Sequence, residues 1–419
     1  MLSKKLSLTD IANKIKNKRI LVRVDFNVPM KEGKITDQTR IKESIKTIAF
    51  CKDNGAKSII LMSHLGRPDG NKNEKYSLKP VSTELSKLIN SNVTFLNDCI
   101  GPEVKNRVLS STGGEVILLE NLRFYAAEEG SRVDSEKVKT KEKPEVIKQF
   151  RNELSQLGDI YVNDAFGTCH RAHSSIVGCS QDLKVAGFLL KKELDYFSKV
   201  IEKPNKPLLV ILGGAKVKDK VLVINNLLEI VDKMVITGAM AFTFHKEINP
   251  NYNIGKSLYD AEGAKIVKSI MEKAKSKGVE IILPSDYICN SEVMGKKQNN
   301  VYCDGYVKDD LIGIDVGPKT RQRINQAILS SKTIFLNGAN GVFEGEAGRE
   351  GSVDLINCIR EATKKGAISI CGGGDTITLV NSINGANKDI SHISTGGGAS
   401  LELLEGKILP GIDILTNRI

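Results

Sequence analysis

The sequence predicts an α/β protein built from two doubly wound parallel-sheet domains, and three observations carry that reading. Its 419 residues exceed the usual ~100–200 of one domain, so two separate cores are expected. Short β-branched or leucine-rich runs recur in both halves, each followed by a glycine or polar turn and then a helical pattern, as repeated parallel β/α units require. Between the halves, residues 189–203 carry apolar side chains at 189, 190, 194, 197, 200 and 201, a helical spacing stopped by Pro204 and Pro207. The expected division is therefore 1–188 for the first domain, 189–204 for an interdomain helix, 205–406 for the second domain and 407–419 for a closing segment.

In chain order, the expected strands of the first half are 20–24, 58–62, 93–96, 116–119 and 160–162. Those of the second half are 208–212, 234–237, 281–283, 333–336, 368–370 and 393–394. The stretch 128–148 is poor in large apolar residues and dense in Glu and Lys, so it reads as a solvated surface insertion without chemistry.

Composition narrows the function classes. Hydrophobic residues at 40% and charged residues at 26% suit a soluble globular chain, and no run approaches a membrane span. Residues 1–19 alternate lysines with apolar residues and lack the continuous apolar segment of a secretory signal, and the chain ends without a Ser-Lys-Leu signal, so a cytoplasmic location is expected. Eight cysteines are scattered with no C-x-x-C pair and no histidines at zinc spacing, which reads as free thiols. The net charge of +11 suits either nucleic acid or small polyanions. Dispersed lysines without an arginine-aromatic motif favour the small polyanions.

Open α/β sheets bind ligands beyond the carboxyl ends of their strands, so the residues that follow each run matter most. In the first half these are Asp25 and Asn27, then His64 and Arg67, then Arg123, then Asn163 and Asp164 with His170, Arg171 and His173. Guanidinium groups recognise carboxylate and phosphate bidentately, so Arg40, Arg67, Arg123 and Arg171 are candidates to converge on a small acid. His64 and His170, beside arginine motifs, are further ligand candidates, and His173 reads as a core histidine. In the second half the strands are followed by Gly213-Gly214, Gly238, Asn337-Gly338, Gly372-Gly373-Gly374 and Gly396-Gly397-Gly398, where bare backbone and helix N-termini can hold phosphate.

The segment 213–220 follows a strand, and Lys216 and Lys220 would lie one helical turn apart, facing one polyphosphate. It is not a Walker loop, since Pro250 stands where the only Gly-Lys-Ser, at 255–257, would need its first glycine. A glycine turn leading into a solvated lysine helix is the plainer alternative. At Gly372-Gly373-Gly374-Asp375-Thr376, helix capping would explain one residue but not three successive glycines. Phosphate at the amides and magnesium at the Asp375 carboxylate explain more. Direct phosphoryl transfer needs no protein nucleophile, only positioning and charge neutralisation.

The segments Val24-Asp25-Phe26-Asn27-Val28-Pro29, Ser63-His64-Leu65-Gly66-Arg67-Pro68, 163–168, 170–175, the lysine loop 213–220, 372–376 and 394–407 together resemble the phosphoglycerate kinase family, in family order along essentially the whole chain. The resemblance implies two Rossmann-like domains that close about a hinge, with the last segment, after about Lys407, returning to the N-terminal domain. It implies that Asp25, Phe26, Asn27, Arg40, His64, Leu65, Gly66, Arg67, Arg123, His170 and Arg171 hold 3-phosphoglycerate or its acyl phosphate. Gly214, Ala215, Lys216, Lys220, Gly238, Gly313, Asn337, Glu344, Gly373, Gly374, Asp375 and Thr376 would serve ATP or ADP. Arg40, Lys216 and Lys220 with the amides of Gly373 and Gly374 would neutralise the phosphoryl group in flight, and Asp375 would hold Mg2+. A monomer acting on small molecules follows, with no obligatory protein partner, membrane or nucleic acid. Tyr125, Lys218, Leu336, Ala339 and Asn340 depart from the family pattern.

Overall fold

The computed structural model describes residues 1–418. The chain forms two compact units, Met1–Asp195 together with the segment from Ile408 onward, and Tyr196–Lys407.

The first unit is built on a six-stranded, wholly parallel sheet. Its spatial order is Lys184–Ala186, Ile160–Asp164, Arg19–Val24, Ser58–Met62, Glu115–Leu118 and Val93–Phe95. Successive side chains of a strand point to opposite faces, so one apolar run feeds two cores. Ile20, Val22, Val24, Ile59 and Leu61 pack with Ile41, Ile48 and Leu85 on one side. Leu21, Ile60, Met62 and Tyr161 pack with Val104, Phe150 and Leu154 on the other. The strand Lys184–Ala186 was not among those expected, because three residues give too short a pattern to detect.

The segment from Ile408 onward is tied into this unit by polar contacts. Asn163 Nδ2 donates to the Gly411 carbonyl at 2.9 Å, Lys5 Nζ donates to the carbonyls of Asp413 and Leu415 at 2.9 Å, and the Leu6 amide donates to the Thr416 carbonyl at 2.8 Å.

The second unit carries another parallel sheet, ordered Glu280–Ile282, Lys233–Thr237, Leu208–Gly213, Thr333–Asn337, Ile368–Cys371 and His392–Ile393. This is the 3-2-1-4-5-6 order of dinucleotide-binding folds, whose ligands sit where the order reverses, here between Leu208–Gly213 and Thr333–Asn337. A second, antiparallel sheet of Val301–Asp304, Asp286–Asn290 and Ile312–Val316 was not anticipated. It closes a small core of Phe242, Tyr287, Cys289, Cys303, Val307 and Leu311.

The helix expected at 189–203 runs Phe188–Ile201, and the boundary between the units falls inside it. Leu190, Leu194, Phe197 and Val200 are buried along one stripe. The carboxylate of Asp164 accepts the amides of Leu189 and Leu190 at 2.8 and 3.2 Å, filling the role of an N-cap from a neighbouring strand.

One reading needs correction. The stretch 128–148 is solvated only in part: Ser131–Val133 and Lys139–Lys141 form a largely exposed antiparallel hairpin, but Glu128, in the helical turn Ala126–Glu129, is 1% exposed. Its two oxygens accept the Ser175 hydroxyl and amide at 2.6 and 2.9 Å. A buried, fully engaged carboxylate is indistinguishable in sequence from the exposed glutamates beside it.

Candidate active site

In the first unit the strand ends gather a network of charged side chains. Directly after Arg19–Val24, Asp25 pairs with Arg40 at 2.6 Å, and its other oxygen accepts the Asn27 amide at 3.2 Å. Asn27 Oδ1 accepts the Gly66 amide at 2.9 Å, and Arg123 donates to the Gly66 carbonyl at 2.9 Å. Gly66 has φ of +63°, and a Cβ there would lie 2.4 Å from the Tyr76 ring, so the turn that organises these contacts requires glycine. Phe26 and Leu65 are core side chains, so only their backbone atoms can serve a ligand.

His64 and His173 are also buried, at 3% and 9% exposure. Burial first, then Arg23, Arg123, His173 and Arg40, holds His64 well below the usual imidazole range. Burial, then Arg123, Arg23, Arg171 and His170, lowers His173 to about 3. These mutual effects place Arg23, Arg40, Arg123, Arg171, His64, His170 and His173 in one electropositive neighbourhood, beside a cavity of about 220 Å³ that Arg171, His173 and Lys139 help to line. Arg67 is exposed and takes no part in these named contacts. Arg23 and Glu128 went unnoticed in the sequence: an arginine inside a strand and a glutamate in a polar stretch carry no local mark of burial.

In the second unit the corresponding strand ends frame a cleft of about 320 Å³. Of the expected nucleotide residues, Gly214, Ala215, Gly238, Gly313, Glu344 and Asp375 line it. Asn337 stands just behind, its Nδ2 donating to the Gly372 carbonyl at 2.7 Å and its Oδ1 accepting Lys220 Nζ. The Gly338 amide donates to Thr376 Oγ1 at 2.7 Å, joining two strand-end loops. Burial, opposed by Asp375 and Asp219, lowers the Lys220 amine to about 8.

Lys216 and Lys220 do not lie on one helical turn. The chain is extended at Lys216, passes through the 3-10 turn Val217–Asp219, and enters the helix Val221–Leu227 only after Lys220. Lys216 is exposed, while Lys220 is drawn inward.

The glycines divide into two kinds. A Cβ on Gly213 would lie 2.1 Å from the Ala339 carbonyl oxygen, and one on Gly338 would lie 2.2 Å from that of Gly213, so these two serve mutual backbone packing. Gly374 faces open space at the first position of the helix Gly374–Asn381, with Gly373 as its N-cap.

Phe242, Tyr287, Ile314, Val342 and Phe343 complete the lining and were not foreseen, since apolar residues at such places read as ordinary core. Asp315 also lines the cleft, its carboxyl pushed up to about 7 by burial against the Gly351 and Val316 amides and Arg321. Apolar and aromatic walls beside glycine amides and one inward lysine suit a flat base carrying a phosphate chain. Among the described residues no group of three His, Cys, Asp or Glu side chains could cage a metal. Asp375, exposed near the helix start, offers a single carboxylate beside the Gly373 and Gly374 amides, a donor suited to Mg2+ where substrate phosphates supply its other ligands.

The departures from the family pattern are accommodated. Tyr125 donates its hydroxyl to Asp98 at 2.9 Å, Leu336 is core, and the Asn340 side chain donates to the Gly351 carbonyl at 3.0 Å. Lys218 is exposed.

A basic face at the strand ends of one α/β unit and a glycine-walled cleft at the switch point of the other are the features of a two-unit α/β kinase. The family model described as phosphoglycerate kinase matches residues 8–407. The chain is 55% identical to phosphoglycerate kinase of Euplotes crassus and 52% identical to that of Plasmodium falciparum, each match covering 100% of both chains. Its fold superposes on the structure of phosphoglycerate kinase from Coxiella burnetii with a TM-score of 0.86 at 36% identity, covering 98% of each chain. The chain belongs to the phosphoglycerate kinase family.

Proposed function

We propose that the protein catalyses reversible, magnesium-dependent phosphoryl transfer from 1,3-bisphosphoglycerate to ADP, giving 3-phosphoglycerate and ATP, as a cytoplasmic, monomeric enzyme of glycolysis and gluconeogenesis. The acceptor, in the direction of ATP use, is the carboxyl group of 3-phosphoglycerate. Asp25, Asn27, Arg40, His64, Arg67, Arg123, His170 and Arg171, with the backbone of Phe26, Leu65 and Gly66, hold the acid. Gly214, Ala215, Gly238, Gly313, Asn337, Glu344 and Thr376 hold the nucleotide.

Arg40, Lys216 and Lys220 with the amides of Gly373 and Gly374 neutralise charge on the phosphoryl group as it moves. When bound, Mg2+ offsets charge on the nucleotide phosphates, with Asp375 as its protein ligand. Closure of the two domains about the helix Phe188–Ile201 brings the substrates together and excludes water.

The observation that carries this reading is the inward ammonium of Lys220, held on Asn337 beside the Gly373–Thr376 turn, in a chain of this family. The test is ADP formation from ATP and 3-phosphoglycerate in a coupled assay. Turnover is expected only with both substrates and Mg2+ present. Folded protein without such turnover overturns the proposal.

A further inference from the structure

Among the described residues Arg23 is the largest fully buried side chain, yet it lies on the strand Arg19–Val24, two residues before Asp25. A buried guanidinium is costly unless its donors are met. Here Nε donates to Ser175 Oγ at 2.9 Å, Nη1 to the Val24 carbonyl, and Nη2 lies 3.1 Å from His64 Nδ1. Ser175 passes the link on, its hydroxyl and amide donating to the buried Glu128 carboxylate. A chain of hydrogen bonds thus runs from Glu128 through Ser175 and Arg23 to the His64 ring.

A guanidinium has donors and no acceptor. The His64 nitrogen that meets it must therefore be the unprotonated one, and the ring hydrogen must sit on the opposite nitrogen. Adding a second proton would turn Nδ1–H against Nη2–H. The strongest electrostatic influences on the ring oppose that proton: Arg23 from the strand, Arg123 from the turn Leu122–Phe124, Arg40 from the helix Thr39–Asp53, and His173 ahead of the turn Ser174–Val177.

We infer that Arg23 is a positioning residue which fixes His64 as a neutral imidazole with its hydrogen on Nε2, so that His64 offers the substrate acid a permanent hydrogen-bond donor rather than a titrating base. Glu128, in the stretch that the sequence marks as solvated, is the buried counter-charge that keeps Arg23 in place. The part concerning His64 and the acid rests on the function proposed above. The clamp itself does not.

The test is ring-nitrogen NMR of the intact protein labelled with 15N-histidine, with His64→Asn used only to assign the signal among five histidines. From about pH 5 to 9, across the usual histidine range, His64 should show a bare Nδ1 and a protonated Nε2 without titrating. A His64 that titrates near the usual value of about 6.5, or carries its hydrogen on Nδ1, overturns the inference.

In Arg23→Gln the ring should begin to titrate, and KM for 3-phosphoglycerate should rise about tenfold as the pH passes through that range, with a smaller change in kcat. Arg23→Lys, which keeps a pure donor, should restore the flat profile. Equal losses in kcat and KM at every pH, with the His64 signals unchanged, would reduce Arg23 to a structural role and sink the proposal. Should Arg23→Gln fail to fold, the wild-type spectrum decides alone. If wild-type His64 behaves as stated but the protein does not turn over 3-phosphoglycerate, the clamp stands and the functional reading falls.

Discussion

On the proposed function the two units would meet the same demand, holding anions at the ends of parallel strands, with opposite materials. The first uses side chains: Asp25, Asn27, Arg40 and Arg123 are fixed by contacts with one another and with Gly66. The second uses backbone: Gly213 and Gly338 pack so closely that no Cβ fits, and of the two lysines in the loop Lys220, not Lys216, is drawn inward. A site made of side chains can lose one member and keep its scaffold. A site made of backbone has no such latitude where its glycines pack on one another, as Gly213 and Gly338 do, and keeps it where they face open space, as Gly374 does.

The sharpest probe of that contrast is Lys220, the lysine drawn inward beside the glycine-walled cleft. Lys220→Ala should lower kcat by about 100- to 1000-fold, the loss typical when a preorganised charge-stabilising group is removed, with the protein still folded. The wild-type profile offers a companion readout. With a folded pKa of about 8, Lys220 is cationic below that value and loses its charge as the pH rises through it, so kcat/KM should fall on the alkaline side.

Next in size, Arg123→Ala should raise KM for 3-phosphoglycerate by about tenfold or more, equivalent to ~1.5–3 kcal/mol for a charge-assisted contact, and leave the melting temperature almost unchanged. A large fall in stability would show that the side-chain network is itself structural.

The glycines test the other side. Gly213→Ala should cost about 1–3 kcal/mol of stability in denaturant unfolding, because its methyl would meet the Ala339 carbonyl. Gly374→Ala, with open space around it, should stay within about 0.5 kcal/mol of the parent, with any loss read as weaker nucleotide binding.

The smallest effect concerns the helix between the units. The Asp164 carboxyl is pushed up to about 7 by burial, so the folded state holds a proton that the unfolded chain has already released above about pH 4. Its contribution to stability therefore declines as the pH rises between those values. Asp164→Asn keeps an oxygen for the Leu189 and Leu190 amides and cannot ionise, so its stability curve should be flatter over that window, and an unchanged slope would remove Asp164 from the titration.

The same contrast explains what could be read from sequence. Strands buried on both faces, such as Ile20–Val24 and Leu208–Leu212, announce themselves as apolar runs, and glycines after strands mark a backbone-built site directly. Side-chain convergence is a property of three dimensions. Arg40 and Arg123 were identifiable as candidates, but Arg23 and Glu128, equally engaged, look like a strand arginine and a surface glutamate. The spacing of Lys216 and Lys220 suggested a shared helical face because four residues fit one turn, whereas the 3-10 turn between them leaves one exposed and one drawn in. The strand Lys184–Ala186 and the antiparallel sheet were missed for a related reason, being short elements whose pairing depends on distant partners.

The thread from Ile408 onward that completes the first unit has a consequence for how the protein is born. On a ribosome, Met1–Asp195 emerges before the second unit, yet the residues that meet Lys5, Leu6 and Asn163 are made only after it. At synthesis rates of about 5–20 residues per second the nascent first unit waits tens of seconds for its final piece, while the whole of Tyr196–Lys407 is translated and free to fold on its own. The first unit is thus finished only after the second has been made.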